Sequence, residues 1–324
     1  NVPDPRVAPV AMNARRLHLA VLALLLVLHQ DSWNSHELGW FRALPMLFAA
    51  RERMPWADVV LAMNVGQGGL VAWLLKGFSK KPYVVGAYAY EFLRFKTVSI
   101  VSGLLRDVFN DAKAVIAISK FTRRGLEDFG VTASRIHLIL PGAPETFPFD
   151  ESVLNTLRER YILSGKRIVL AVGRFIKRKN HIRLVQALPK VLEKFPDTVI
   201  VMIGQGPELP NVAREANRLG VRGNIRLPGR LSDRDVSKFY AICDLFALPT
   251  GTDPGGHVEG FGLVFVEAHA YGKPVIAGRS GGTEDAVLNN ETGLLIDPDD
   301  PYDLAKAINE LLGDPDRARQ LGEA

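Results

Sequence analysis

Two α/β domains, each a parallel sheet covered by helices, are what the sequence predicts, and three features of it carry the prediction. Short apolar runs alternate with longer helix-patterned stretches from Asp58 to Leu312, the order of elements that a parallel sheet with crossover helices requires. A chain of 324 residues exceeds one ordinary core and divides into two domains. Between Pro141 and Pro148 three prolines and a glycine interrupt all periodicity, which sets the boundary: one domain over 1–143, the other over 144–324.

In the first half, Leu17 to Leu28 is almost wholly apolar, with Arg15 and Arg16 before it and Gln30 and Asp31 after. It falls short of the roughly 20 residues a membrane span needs. It is read as a buried strand or helix of the first domain, with an interfacial membrane contact or a targeting segment as alternatives. Asp58 to Met63 reads as a strand, Gly66, Gly68 and Gly69 as a turn, and Leu70 to Leu75 as a helix. Tyr83 to Val85 and Ala114 to Ile118 are further strands; Ser119 caps a helix over Thr122 to Phe129, and Ile136 to Leu140 is the next strand.

The second half repeats this grammar more regularly. Strands are expected at Arg167 to Val172, Thr198 to Ile203, Ile225 to Leu227, Leu245 to Leu248, Pro274 to Ala277 and Gly293 to Ile296. Helices are expected at Ile182 to Lys194, Glu208 to Leu219, Asp233 to Ala241, Phe261 to Tyr271 and Tyr302 to Leu312. Such a doubly wound sheet binds ligands beyond the carboxyl ends of its strands, so the loops after Val172, Ile203, Leu248 and Ala277 should hold the chemistry.

Composition narrows the partners. Hydrophobic residues at 47% and charged residues at 23% describe a globular chain without a long disordered tail. The net charge of +5 and pI near 9.3 suit anionic partners: diphosphates, nucleic acid or an acidic membrane surface. Cys243 is the only cysteine, which excludes an intramolecular disulfide and a cysteine metal cluster and leaves a buried core thiol.

The loop from Pro249 to Gly262 is glycine-rich and feeds directly into a helix. Backbone N–H groups around Gly262, Leu263 and Val264 at that helix start form an anion site. Glu259 precedes the helix and Glu267 lies in its second turn; carboxylates there can each accept two hydrogen bonds from sugar or ribose hydroxyls. Read alone, the segment is equally a capped surface helix with solvated acids. Arg174 directly after a strand and Lys179 five residues later add two cations at a strand's carboxyl end, as a departing diphosphate requires. Ser280 to Glu284 supplies further N–H donors after another strand. Asp297, Asp299 and Asp300 are the acidic cluster that tempts a cation, but the prolines around them favour a turn with a helix cap.

Val172-Gly173-Arg174 with Lys179, the Glu259 to Glu267 segment spelled EGFGLVFVE, and Gly272 to Ala277 with Gly281-Gly282 resemble the large group 1 (family four) class of retaining GT-B glycosyltransferases. The likeness is close over residues 165–312 and looser before. It implies two Rossmann-like domains facing a cleft. It also implies that Glu259 contacts the transferred sugar and is the catalytic residue, that Glu267 takes the nucleotide ribose, and that Arg174 with Lys179 takes the diphosphate. Phe261, Gly262, Leu263 and Val264 complete the donor site on this resemblance, and the base is read near Arg230 and Leu231. The stretch Gly255 to Glu259 also looks like members acting on lipids and polyols.

Three departures from the family pattern qualify the first domain and the end of the chain. Nothing before Arg15 resembles the opening strand and its Gly-Gly loop, so the first domain is expected to be incomplete. Tyr88, with Glu91 beside it, stands where many members carry a histidine, and both are assigned to the acceptor side. The chain ends at Ala324, ahead of the family's closing helix.

The resemblance implies retaining transfer of a hexose from a nucleotide diphosphate sugar to a lipid, polyol or saccharide, without metal or cofactor and with no part for nucleic acid. Glu259 and Glu267 bind different ends of one donor and are not a glycosidase pair. The implied place is cytoplasmic, with a peripheral contact on the inner membrane face. A nucleotide-sugar binder or donor hydrolase with weak or no transfer is the alternative, and an epimerase or phosphorylase would need further acid and base groups.

Overall fold

The computed structural model describes residues 43–324. Leu17 to Leu28 and its flanking arginines lie outside the described residues. The chain divides into two compact units between Leu140 and Pro141.

The first unit contains α1 (Ala43–Arg53), β1 (Val60–Ala62), α2 (Leu70–Ser79), β2 (Tyr83–Ala87), the single turn α3 (Tyr90–Leu93), α4 (Ser99–Asp111), β3 (Ala114–Ala117), α5 (Lys120–Asp128) and β4 (Ile136–Leu138). Its four strands are parallel in the order β1-β2-β3-β4, with Val60 opposite Tyr83, Val84 opposite Ala114 and Val115 opposite Ile136. Each strand is added on the same side, so the reversal of a doubly wound sheet is not seen among the described residues of this unit. The helix α4 was not foreseen, although Val101, Leu104, Leu105, Val108 and Phe109 are spaced for one buried face. Phe109 meets Phe92 and Phe129 edge to face, with centroids 5.4 to 6.4 Å apart across the trio, and each such pair adds about 0.5–1.5 kcal/mol beyond its buried area.

The glycines expected as a turn instead form a π-helical turn, Val65–Gly69, that runs straight into α2. Asn64 starts it: its side-chain oxygen accepts from the N–H groups of Gln67 (3.0 Å) and Gly68 (3.2 Å), and its carbonyl from that of Gly69 (2.7 Å). Ser119 caps α5 as expected, its hydroxyl accepting from the Thr122 N–H at 2.9 Å.

The second unit runs α6 (Glu151–Arg160), β5 (Arg167–Val172), α7 (His181–Leu192), β6 (Thr198–Ile203), α8 (Leu209–Arg218), β7 (Ile225–Gly229), α9 (Asp233–Ile242), β8 (Leu245–Leu248), α10 (Leu263–Ala270), β9 (Val275–Gly278), the short α11 (Thr283–Ala286), β10 (Gly293–Ile296), α12 (Pro301–Gly313) and α13 (Pro315–Glu323). Its six parallel strands stand in the order β10-β9-β8-β5-β6-β7. From β5 the chain winds outward to β6 and β7, then returns to the other flank of β5 for β8, β9 and β10. The order therefore reverses between β5 and β8, which is where a sheet of this kind opens a crevice for ligands. Every residue of β6, β8 and β9 is buried, as strands covered by helices on both faces must be.

Two details differ from expectation. The helix expected from Phe261 begins at Leu263, because Gly262 at φ +98° is left-handed and cannot be its first residue. The chain also adds α6 and α13, which bury Leu154 alone and Leu321 with Gly322, too few positions to mark a face in the sequence. The Asp297 to Asp300 segment is a turn in which Asp300 caps α12, accepting from the Tyr302 N–H at 2.8 Å. Among the described residues no helix is long and apolar enough to cross a membrane.

Candidate functional site

The reversal point between β5 and β8 is built by two excursions of the chain. The first follows β5. Gly173 donates its N–H to the Ile203 carbonyl (2.9 Å), tying the ends of β5 and β6 together. The approach is so close that a Cβ on Gly204, at φ +142°, would lie 2.0 Å from the Gly173 carbonyl oxygen. Arg174 is exposed and makes no ion pair among the described residues. Phe175 is buried and stacks on His181, with centroids 4.1 Å apart and planes at 10°. That stack closes the excursion on itself, so Arg174 and Lys179 leave the same small loop. Burial and the neighbouring Lys179 push the His181 imidazole down to about 3, so the stacked ring is neutral.

The second excursion follows β8. Gly251 donates to the Arg178 carbonyl (2.8 Å), fastening the two excursions to each other. Asp253 then folds the glycine-rich stretch: one oxygen accepts from the N–H groups of Gly255 (2.9 Å) and His257 (3.0 Å), while the other lies 2.9 Å from His257 Nδ1. Glu259 accepts at its carbonyl from the Gly282 N–H (2.7 Å), which joins the loop after β8 to the loop after β9. Gly281, at φ +59°, permits that contact, since a Cβ there would sit 2.3 Å from the Glu259 carbonyl oxygen.

These ties bring Lys179 and Glu259, 80 residues apart in the chain, into a direct ion pair of 2.5 Å between Nζ and Oε2. Their side chains are only 10% and 12% exposed. Two charges so far out of water are held there by each other and by the tertiary ties around them. Glu267 lies on α10 and accepts at Oε2 from the Tyr240 hydroxyl (2.9 Å). Phe261 is buried, Leu263 is half exposed, and the N–H groups of the first turn of α10 follow Gly262 into the same region. Arg230 and Leu231 follow β7 at the same carboxyl edge of the sheet, and Arg230 is exposed.

Three further polar residues lie in or beside these loops. The hydroxyls of Thr250 after β8 and Ser280 after β9, and both ring nitrogens of His181, are buried without a hydrogen-bond partner among the described residues. Buried polar groups are nearly always paired. Thr250 and Ser280 follow the neighbouring strands β8 and β9, and His181 opens α7; groups of this kind are completed by a polar ligand or water. Their sequence signal was position alone: each stands within a few residues of a buried apolar run. Among the described residues no group of three or more acidic, histidine or cysteine side chains is arranged to hold a metal.

The two residues assigned to the acceptor side, Tyr88 and Glu91, belong to the first unit, at the carboxyl end of β2. Ala89 between them takes φ +79° and ψ −62°, and the Tyr90 N–H reaches back to the Tyr88 carbonyl at 3.2 Å, a strained γ-turn. Glu91 accepts from the Tyr88 N–H at 2.6 Å. Burial pushes its carboxyl up from 4.5 to about 7, against the hydrogen bonds and the Arg94 charge that pull the other way. A carboxyl whose folded value lies above its unfolded one stabilises the fold fully only below the unfolded value. Stability of this unit is therefore expected to fall between about pH 4.5 and 7, by on the order of 2–3 kcal/mol. Urea unfolding at pH 5 and pH 8 tests this: the fall should vanish in Glu91→Gln, and an unchanged fall in that variant would remove Glu91 as its source.

Comparison with known proteins places both halves of the chain. The family described as Glycosyl transferases group 1 matches residues 155–324, and Glycosyltransferase Family 4 matches residues 12–146. A GDP-mannose-dependent alpha-(1-6)-phosphatidylinositol monomannoside mannosyltransferase of Mycobacterium tuberculosis is 33% identical over 89% of this chain and 70% of its own length. The protein of the same description from Mycolicibacterium smegmatis is 36% identical over 68% of this chain, and the match spans 58% of that relative. Among solved structures, HepE of Anabaena in complex with UDP and glucose gives a TM-score of 0.74 at 22% identity, covering 89% of this chain and 76% of that one. The lipopolysaccharide glycosyltransferase WaaG gives 0.61 at 18%, covering 81% and 78%. These structural likenesses are ones of fold, the GT-B fold of two Rossmann-like α/β units.

Proposed function

The chain belongs to the group 1 glycosyltransferases, and from that premise we propose that it moves a hexose, with retention of anomeric configuration and without metal, from a nucleotide diphosphate sugar to an acceptor hydroxyl. The observation that carries this reading is the buried Lys179–Glu259 pair at the point where the strand order reverses, with Arg174 on the same loop. In the free protein Lys179 and Glu259 neutralise each other. A diphosphate entering beside them offers Lys179 a second anion, and Glu259 can then turn its remaining acceptor positions to the hydroxyls of the sugar. During transfer the bond from the anomeric carbon to the diphosphate oxygen breaks and a bond to the acceptor oxygen forms on the same face, while the acceptor proton passes to the departing diphosphate. Negative charge grows on that diphosphate, and Arg174 and Lys179 stand ready to compensate it. Glu267 takes the ribose hydroxyls.

The relatives' descriptions make GDP-mannose the first donor to test and an inositol-bearing lipid the first acceptor. A lipid acceptor implies work at a membrane surface. Trp56 at 90% exposure and Phe48 at 64%, with the exposed Arg51 and Arg53 between them, support such a contact. The test is transfer of labelled mannose from GDP-mannose to phosphatidylinositol in anionic vesicles, read as labelled lipid and as protein sedimenting with the vesicles. The product should be the α-anomer, formed equally with and without chelator. A β-linked product, a loss restored by magnesium, or release of free mannose with no labelled lipid would each overturn a stated part of this reading.

A further inference from the structure

We propose that Tyr240 is the positioning residue of Glu267, fixing one carboxylate oxygen so that the group meets the two hydroxyls of the donor's ribose in a single orientation; the inference rests on the reading of Glu267 as the ribose contact. Glu267 is half-buried and has no ion pair among the described residues. Its hydrogen-bond partner among the described residues is a phenol: the Tyr240 hydroxyl donates to Oε2 at 2.9 Å, from α9 across to α10. Tyr240 itself is 2% exposed and is held on several sides. Its ring stacks on Tyr271, centroids 5.9 Å apart at 14°, and leans on Phe246 at 5.7 Å, which meets Phe265 of α10 edge to face. Tyr271 in turn accepts at its hydroxyl from the Phe147 N–H at 2.9 Å. The ring is thereby fixed; its hydroxyl also lies 3.4 Å from the Val264 carbonyl of α10, but the shorter bond, to Glu267, is the one that places the carboxylate.

The chemistry of the partner fits the task. A lysine or arginine in this position would neutralise Glu267 and compete with a ligand for its lone pairs. A neutral phenol orients the carboxylate and leaves its charge, and at least two further acceptor positions, for hydroxyl donors. Burial, together with the Glu267 charge, raises the Tyr240 hydroxyl well above the ordinary range for tyrosine, so it remains a donor throughout neutral and mildly alkaline pH.

The test is calorimetric titration of GDP and of 2′,3′-dideoxy-GDP into the wild type, Tyr240→Phe and Glu267→Ala. Phenylalanine keeps the aromatic stack and removes only the hydroxyl. Tyr240→Phe is expected to weaken GDP roughly three- to tenfold and to leave the dideoxy analogue within about twofold. If both nucleotides weaken alike, or the variant does not fold, Tyr240 is a packing residue and the inference is overturned. If Glu267→Ala weakens GDP selectively and Tyr240→Phe changes neither nucleotide, the inference alone fails. If Glu267→Ala leaves GDP binding unchanged, it is the ribose reading of Glu267 that fails.

Discussion

Lys179→Ala is expected to weaken nucleoside diphosphate binding roughly 10- to 100-fold and to lower stability by on the order of 2–3 kcal/mol. The two losses have different causes. Affinity falls because, in the proposed donor placement, Lys179 gives the diphosphate a charge-assisted contact that alanine lacks. Stability falls because the Glu259 carboxylate, 12% exposed, is left in the crevice without its counter-ion. Arg174→Ala is expected to share the first loss and escape the second, because Arg174 is exposed and pairs with nothing among the described residues. Thermal unfolding beside nucleotide titration separates them. An Arg174 variant as destabilised as the Lys179 variant, or two variants that bind like the wild type, would refute the division of roles.

Glu259→Ala is expected to lower kcat by roughly 10²- to 10³-fold, because in the proposed reaction Glu259 contacts the sugar through hydrogen bonds that strengthen as the glycosidic bond opens. The same substitution releases Lys179 from its ion pair. Nucleoside diphosphate affinity should then stay level or rise, the opposite sign from Lys179→Ala. Steady-state kinetics with GDP-mannose, alongside direct titration of GDP, checks both halves. A variant whose KM rises while kcat is untouched would place Glu259 in uniform donor binding and outside the transition state.

The strands of the second unit were legible to the residue at β5, β6, β8 and β10, because each is a short, mostly apolar and mostly buried run. Local backbone chemistry was harder to read. The glycines after β1 spell a turn, yet the Asn64 side chain gathers their N–H groups into a π-helical start, and a propensity reading does not see a cap that bonds three and four residues ahead. The helix α4 carries a readable pattern of buried positions, whereas α6 and α13 bury too little to leave one.

At the site, the residue types and their loops could be drawn from the sequence, but their pairing could not. The sequence resemblance implies a ligand contact for each of Lys179 and Glu259, and only the ties between three loops reveal that they also hold each other. Tyr240 falls within the expected helix Asp233 to Ala241, and nothing in the chain announces that its hydroxyl points at a carboxylate on the next helix. Unpaired groups such as those of His181, Thr250 and Ser280 are invisible until burial is known.

The central claim is that Lys179 and Glu259 form one switchable pair whose opening admits the donor diphosphate. Titration of GDP into Lys179→Ala, Glu259→Ala and the double variant tests it most directly, as a double-mutant cycle. The expected result is weaker binding in Lys179→Ala, equal or tighter binding in Glu259→Ala, and a double variant that binds no more tightly than Lys179→Ala alone, because the gain from freeing the lysine is lost with it. Losses in both single variants that simply add in the double variant would contradict the claim.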